Sequence, residues 1–140
     1  MSIVQWSDDF KTGVCGVDCQ HKALIRMLNG LYSIAEKSRD REVVSEAASL
    51  LADFVVEHFQ CEEKTMRDVS YPAYESHKQQ HDEFAGRVAE IVKRFDETGD
   101  NGSLTTSVQN YMVPWLTEHF TKTDKEMAGF IAGGPSDKAA

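Results

Sequence analysis

The sequence predicts an all-α fold: an antiparallel, up-down-up-down four-helix bundle behind an extended N-terminal arm. Three observations carry that expectation. Apolar residues recur at three- and four-residue steps over four long segments, no stretch alternates with the period of two that a half-buried strand needs, and short polar or Gly/Pro-marked loops separate the segments. Segments of about 20 to 28 residues joined by short loops run antiparallel to their neighbours, and a bundle lets the four apolar stripes bury one another.

The first helix is expected over about 19–37, with Ala23, Leu24, Met27, Leu28, Leu31 and Ile34 on one face and Asp18 as its N-cap. Polar residues Ser38 to Arg41 end it. A second helix over about 42–67 carries Val43, Ala47, Leu50, Leu51, Phe54, Val55, His58 and Phe59 at the same spacing. Pro72 suits the first turn of a third helix, about 73–97, with Phe84, Val88, Ile91 and Phe95 inward. A fourth segment, about 104–131, has Val108, Tyr111, Met112, Trp115, Leu116 and Phe120 at helical steps. Pro114 removes a backbone hydrogen bond there and predicts a kink or break. The small, polar tail 132–140 is expected to fray.

At 140 residues the chain is one domain, and 41% hydrophobic with 27% charged residues is the balance of a globular protein. A net charge of −8, from 15 basic and 23 acidic residues, repels phosphate backbones and anionic headgroups. Nucleic acid and membranes are therefore not expected partners. No apolar run approaches the roughly 20 residues of a membrane span, and MSIVQWSDDFKTG lacks the basic start and apolar core of a signal peptide, so a cytoplasmic location is expected. Cys15, Cys19 and Cys61 have neither zinc nor disulfide spacing and read as reduced thiols.

The chemistry lies in the five histidines. His77 and His81, in HKQQH, are about 40° apart around a helix and one turn along, so they grip one point. His58 and Glu62 repeat the device on the second helix, continuing its apolar stripe inward. His119 and Asp124, in HFTKTD, are about 140° apart on an ideal helix, so reaching one site together requires a local widening toward a π-turn. His21 stands near the start of the first helix. A single histidine is more often a hydrogen-bonded core residue than a ligand. In an up-down-up-down bundle, however, all five histidines and both carboxylates fall at one end, which ordinary packing does not explain.

Five imidazoles and two carboxylates exceed one tetrahedral zinc and suit iron. If both carboxylates bridge two ions, the nitrogens divide three and two. With one oxo or hydroxo bridge, one ion is then six-coordinate and the other has an open position for a small ligand.

The set His21, His58 with Glu62, His77 with His81, and His119 with Asp124 resembles the ligand signature of the bacterial hemerythrins, from Trp6 through GVDCQH and HFQCEEKTM to WLTEHFTKTDKEM. The resemblance implies a hemerythrin-like bundle with two iron ions. His77, His81 and His119 would hold the saturated iron, His21 and His58 the open one, and Glu62 and Asp124 would bridge. It also implies a dry O2 pocket walled by Leu24, Trp115 and Phe120, with Phe120 standing where relatives commonly carry an aliphatic residue. The function implied is reversible O2 binding for storage or for delivery to an oxygen-consuming enzyme, by a binding protein rather than an enzyme. A di-iron peroxidase or ferroxidase and an O2 or nitric oxide sensor remain the alternatives.

Overall fold

The computed structural model describes residues 3–139, with side chains through 133. Three regular helices, α1 (Cys15–Lys37), α2 (Arg41–Asp68) and α3 (Tyr74–Thr98), are followed by a long fourth helix over 101–139. In sequence order α1 packs on α2 and α2 on α3, and the start of the fourth helix returns between α1 and α3, closing an antiparallel bundle. No strand occurs among the described residues.

The inward faces follow a heptad rule. In α1 the buried stripe runs through Val17, His21, Leu24, Leu28, Leu31 and Ala35, with Ile25 buried beside it; in α2 it runs through Val44, Ala48, Leu51, Val55, His58 and Glu62, flanked by buried Phe59, Glu63 and Met66; in α3 it includes His77, His81, Phe84, Val88 and Phe95. One correction concerns α2, where Val43 and Leu50 are exposed at 45% and 55%. Both Val43-Ala47-Leu50-Phe54 and Val44-Ala48-Leu51-Val55 have helical spacing, but only the second continues onto His58 and Glu62.

The ends differ in detail from expectation. α1 starts at Cys15 rather than near Cys19, and Val14 caps it without a side-chain bond. Asp18 is therefore not the N-cap. It sits in the first turn and accepts from Thr12 N at 2.9 Å, Thr12 Oγ1 at 2.7 Å and Gly13 N at 3.2 Å, tying the preceding loop onto the helix. Asp40 caps α2 by accepting from Glu42 N and Val43 N, and Gly99 ends α3 at φ 66°, a left-handed position that glycine takes without a Cβ clash. The fourth helix starts at Asn101 rather than near Leu104, its N-cap Asp100 accepting from Ser103 N. Asn101 Nδ2 donates to the carbonyls of Ala35 and Ser38, fastening the end of α1.

The fourth helix is helical in three α segments, Asn101–Ser107, Val113–Glu118 and Asp124–Ala139, joined by π-turns Val108–Met112 and His119–Thr123. Among its buried residues Leu104, Val108, Met112, Leu116, Phe120, Asp124 and Ala128 recur every fourth position, with His119, Met127 and Phe130 buried beside them. On an ideal helix six such steps drift by about 240°, and each π-turn inserts one residue and so removes about 100°. Two π-turns thus hold the stripe inward. The expected break at Pro114 is not met: the helix continues through it, and the first π-turn, closed by Val113 N–H to Val108 O, ends just before it. The expected frayed tail from 132 is also not met in the backbone, which is helical to Ala139; the side chains of 134–140 lie outside the described residues.

The N-terminal arm lies against the bundle. Asn29 on α1 accepts from Ile3 N and Val4 N and donates to Val4 O, and Trp6 and Phe10 pack on the core.

Candidate metal centre

Antiparallel pairing brings the early part of α1 beside the late part of α2, and the early part of α3 beside the late part of the fourth helix. His21, His58, Glu62, His77, His81, His119 and Asp124 are all buried and converge there. Their donor atoms form two groups: Glu62, His77, His81, His119 and Asp124 in one, and His21, His58, Glu62 and Asp124 in the other. His119 and Asp124 meet because of the second π-turn. Asp124 N–H bonds to His119 O, five residues back, which turns a 140° misfit into one turn and leaves Asp124 Oδ1 3.2 Å from His119 Nε2.

Each carboxylate divides its oxygens between the groups. Glu62 Oε1 lies 3.3 Å from His77 Nε2 and 3.2 Å from His81 Nε2, while Oε2 lies 2.9 Å from His58 Nε2 and 3.3 Å from His21 Nε2. Asp124 Oδ1 is 3.1 Å from His77 Nε2, and its Oδ2 is 2.9 Å from His21 Nε2.

These are close approaches rather than a satisfied hydrogen-bond network. His58 Nε2 and both Asp124 oxygens are buried with no aligned hydrogen-bond partner. A fully buried carboxylate left this way is costly, and a cation between the converging lone pairs removes the cost. Nitrogen-rich and carboxylate-bridged, the donor set fits two transition-metal ions of the iron type.

Three of the five imidazoles are aimed from behind, while His21 Nδ1 and His77 Nδ1 have no hydrogen-bond partner among the described residues. His58 Nδ1 is 2.5 Å from Gln20 Oε1, His81 Nδ1 2.8 Å from Glu63 Oε2, and His119 Nδ1 3.0 Å from Gln80 Oε1. With the proton on Nδ1, each ring donates outward and presents the Nε2 lone pair to the centre. Sequence reasoning missed Gln20, Glu63 and Gln80. On a helical wheel they read as ordinary polar residues, and only the approach of a second helix gives them a partner.

Charge follows the same geometry. Burial pushes the Glu62 carboxyl up, but the His21 and His58 imidazoles close beside it bring it well below the usual range. Burial and the Glu62 charge likewise push Asp124 up, and His119 and His21 more than reverse them, so it also lies low. Burial draws His21 and His77 down, yet Asp124 and Glu62 raise each to about 9. For His119 burial prevails, and its pKa is lowered.

Aromatic rings enclose the histidines. Phe120 stacks on His21 with centroids 3.8 Å apart, and Phe10 of the arm meets Phe120 edge-on at 6.0 Å. Leu24 is fully buried one turn beyond His21. Trp115 stacks on His119 at 4.6 Å, so it covers the three-histidine side. Phe59, read in the sequence only as core, stacks on His81 at 3.9 Å. Cys15, Cys19 and Cys61 are free and exposed. A groove of about 450 Å³, whose lining includes Gln80, Trp115, Lys122 and Thr123, opens onto His77 and His119.

Residues 13–131 match the hemerythrin HHE cation binding domain. The chain belongs to the hemerythrin family. It is 33% identical over 128 residues to the bacteriohemerythrin of Stenotrophomonas maltophilia (strain R551-3), covering 91% of this chain and 81% of that one. To the bacteriohemerythrin of Methylococcus capsulatus (strain ATCC 33009 / NCIMB 11132 / Bath) it is 30% identical, covering 89% and 94%. A crystal structure of wild-type hemerythrin superposes with a TM-score of 0.80 at 30% identity, over 90% of this chain and 95% of that one. A leucine-to-alanine hemerythrin variant gives 0.82 over 92% and 97%. The all-α bundle is therefore that of the family, and its His/Glu/Asp cluster is a site able to hold metal. No described helix is long and apolar enough to cross a membrane.

Proposed function

We propose that this hemerythrin binds O2 reversibly at a di-iron centre, for storage or for delivery to an oxygen-consuming enzyme in the cytoplasm. His77, His81 and His119 would hold one iron and His21 and His58 the other, with Glu62 and Asp124 bridging. The observation that carries this reading is the division of each carboxylate's oxygens between a three-histidine and a two-histidine group. When bound, two ferrous ions supply two electrons and one open coordination position for O2.

The chain's own residues do the rest. Gln20, Glu63 and Gln80 hold three imidazoles in the tautomer that faces the centre. Phe120, with Phe10 behind it and Leu24 beside His21, fills the two-histidine side with hydrocarbon. Excluding water and protons there favours release of O2 unchanged over its loss as reduced oxygen. Carboxylate-rich di-iron oxidases use mostly glutamate ligands, whereas five imidazoles favour binding over oxygen activation.

The test is anaerobic reduction followed by air, with the visible spectrum and iron per chain recorded together. Two irons and an oxygen-dependent band that vanishes on deoxygenation and returns on re-exposure are expected. Immediate conversion to a stable oxidised form rules out a reversible carrier.

A further inference from the structure

We propose that Trp115 and Tyr111 form an electron relay between the metal centre and the surface, giving the chain a peroxidase activity toward small one-electron donors. The proposal rests on the di-iron reading above. Tyr111, Trp115 and His119 stand one turn apart along one face of the fourth helix. With Phe84 of α3 their rings make one column. Trp115 lies on His119 at 4.6 Å and 15°, Phe84 on Trp115 at 4.2 Å and 15°, and Tyr111 on Phe84 at 5.7 Å and 25°.

Elsewhere the aromatic pairs Trp6–Phe10, Phe10–Phe120 and Phe59–Phe84 meet edge-on, at 69°, 74° and 65°. Both arrangements are favourable packing, so a run of three stacked contacts is not imposed by packing alone. Three site histidines carry a stacked ring. His21 carries Phe120 and His81 carries Phe59, which resist oxidation. His119 alone of the three carries an indole, and that indole leads on, across Phe84, to a phenol.

The column ends where a donor could reach it. Tyr111 lines a second groove of about 460 Å³ with Arg87, Glu90 and Arg94, within the size of small-molecule sites. Arg87 lies over the Tyr111 ring at 4.9 Å. A cation there disfavours a positively charged ring, so the phenolic proton leaves together with the electron.

Hydrogen peroxide is the oxidant. Iron held by the seven ligands would supply the place where peroxide, given two electrons by the relay and two protons drawn from solvent, is reduced to two waters with cleavage of its O–O bond. Trp115 supplies an electron past His119 and becomes an indole radical cation. Tyr111 refills it across Phe84, releases its phenolic proton to water in the groove and becomes a neutral phenoxyl radical. A donor such as ascorbate then restores Tyr111 by giving one electron and one proton. Two passes balance the reaction: one peroxide and two donors yield two waters and two donor radicals.

The test adds one equivalent of hydrogen peroxide to the iron-loaded full chain, freezes it, records the electron paramagnetic resonance spectrum, and maps oxidised residues by mass spectrometry. Expected are a tyrosyl signal that ascorbate removes and oxidation at Trp115 and Tyr111. Tyr111→Phe should lose most of the tyrosyl signal with the iron count and oxygen-dependent band unchanged, and Trp115→Phe should lose both radicals. A chain with two irons and a reversible oxygen band that forms no radical, or whose tyrosyl signal survives in Tyr111→Phe, overturns the relay alone. A chain without iron or without the oxygen band overturns the di-iron reading and the relay with it.

Discussion

The two ends of the bundle share one helical register and are held together by opposite means. In α1 the same buried stripe passes from His21 through Leu24 and Leu28 to Leu31 and Ala35. Among the described residues the buried polar side chains are His21, His58, Glu62, Glu63, His77, His81, His119 and Asp124, all at or beside the centre. The far end is hydrocarbon: Leu31, Ala35, Val44, Ala48, Phe95, Leu104 and Val108. One end gains stability from burial at about 25 cal/mol per Å² of apolar surface, while the other spends burial on charges that need counter-charges. A metal site can thus be written into a packed bundle by changing residue types at fixed positions. Only the fourth helix changes its backbone to accommodate it.

Removing a bridging carboxylate should produce the largest effect and confine it to the polar end. Glu62→Ala or Asp124→Ala takes one oxygen from each half of the centre, so iron should fall from two per chain toward none. Normal loading of two irons would rule out bridging by the residue replaced.

Chelation separates the ends by pH. In the metal-free chain the folded pKa values of His21 and His77 lie near 9, above their ordinary 6.5. Their contribution is therefore complete below about pH 6.5 and is lost as pH rises through 9. Glu62 and Asp124 shift downward, so theirs is present above the ordinary carboxylate range and lost in acid. Denaturant titration of chelated protein should give lower stability near pH 9.5 than near pH 6. Iron-loaded protein should lack that alkaline loss, because bound imidazoles carry no proton to lose. Equal stability of the chelated chain at both pH values would contradict the pairing.

At the apolar end, Leu31→Ala or Leu104→Ala leaves a cavity in a fully packed layer and should cost about 2–5 kcal/mol. Iron per chain should stay at two. Loss of iron in either variant would mean the ends fold as one unit and the contrast is only chemical.

The parts legible in the sequence were those set by periodicity along one helix. The stripes of α1 and α3 and the need for a π-turn between His119 and Asp124 follow from counting residues. The first π-turn, Val108–Met112, was hidden because Pro114 drew attention to a kink, although the every-fourth-residue stripe from Leu104 to Ala128 already demanded it. The choice between two equally spaced stripes on α2 depended on which one led into His58. Partners that exist only between helices, such as Gln20 with His58 or Glu63 with His81, leave no periodic trace.

Those partners give the next prediction. Glu63→Ala removes the acceptor from His81 Nδ1 and frees the ring to turn or change tautomer, which should weaken iron binding by about 10–100-fold. Competition with a chelator measures it. Unchanged affinity would show that packing against Phe59 is enough to orient His81.

The smallest expected change in stability lies in the arm. Asn29 accepts from Ile3 N at 2.9 Å and Val4 N at 3.1 Å and donates to Val4 O at 2.7 Å, but the site is only half-buried and the freed groups can return to water. Asn29→Ala should therefore cost about 1 kcal/mol. Its effect at the centre should be larger than that figure suggests, because the arm carries Phe10, which backs Phe120, which in turn lies on His21. Loosening the clamp admits water to the two-histidine side without touching a ligand. The oxygen-dependent band should then decay faster in air while iron stays at two. An unchanged decay with the same small loss of stability would show that Phe120 keeps the pocket dry without the arm.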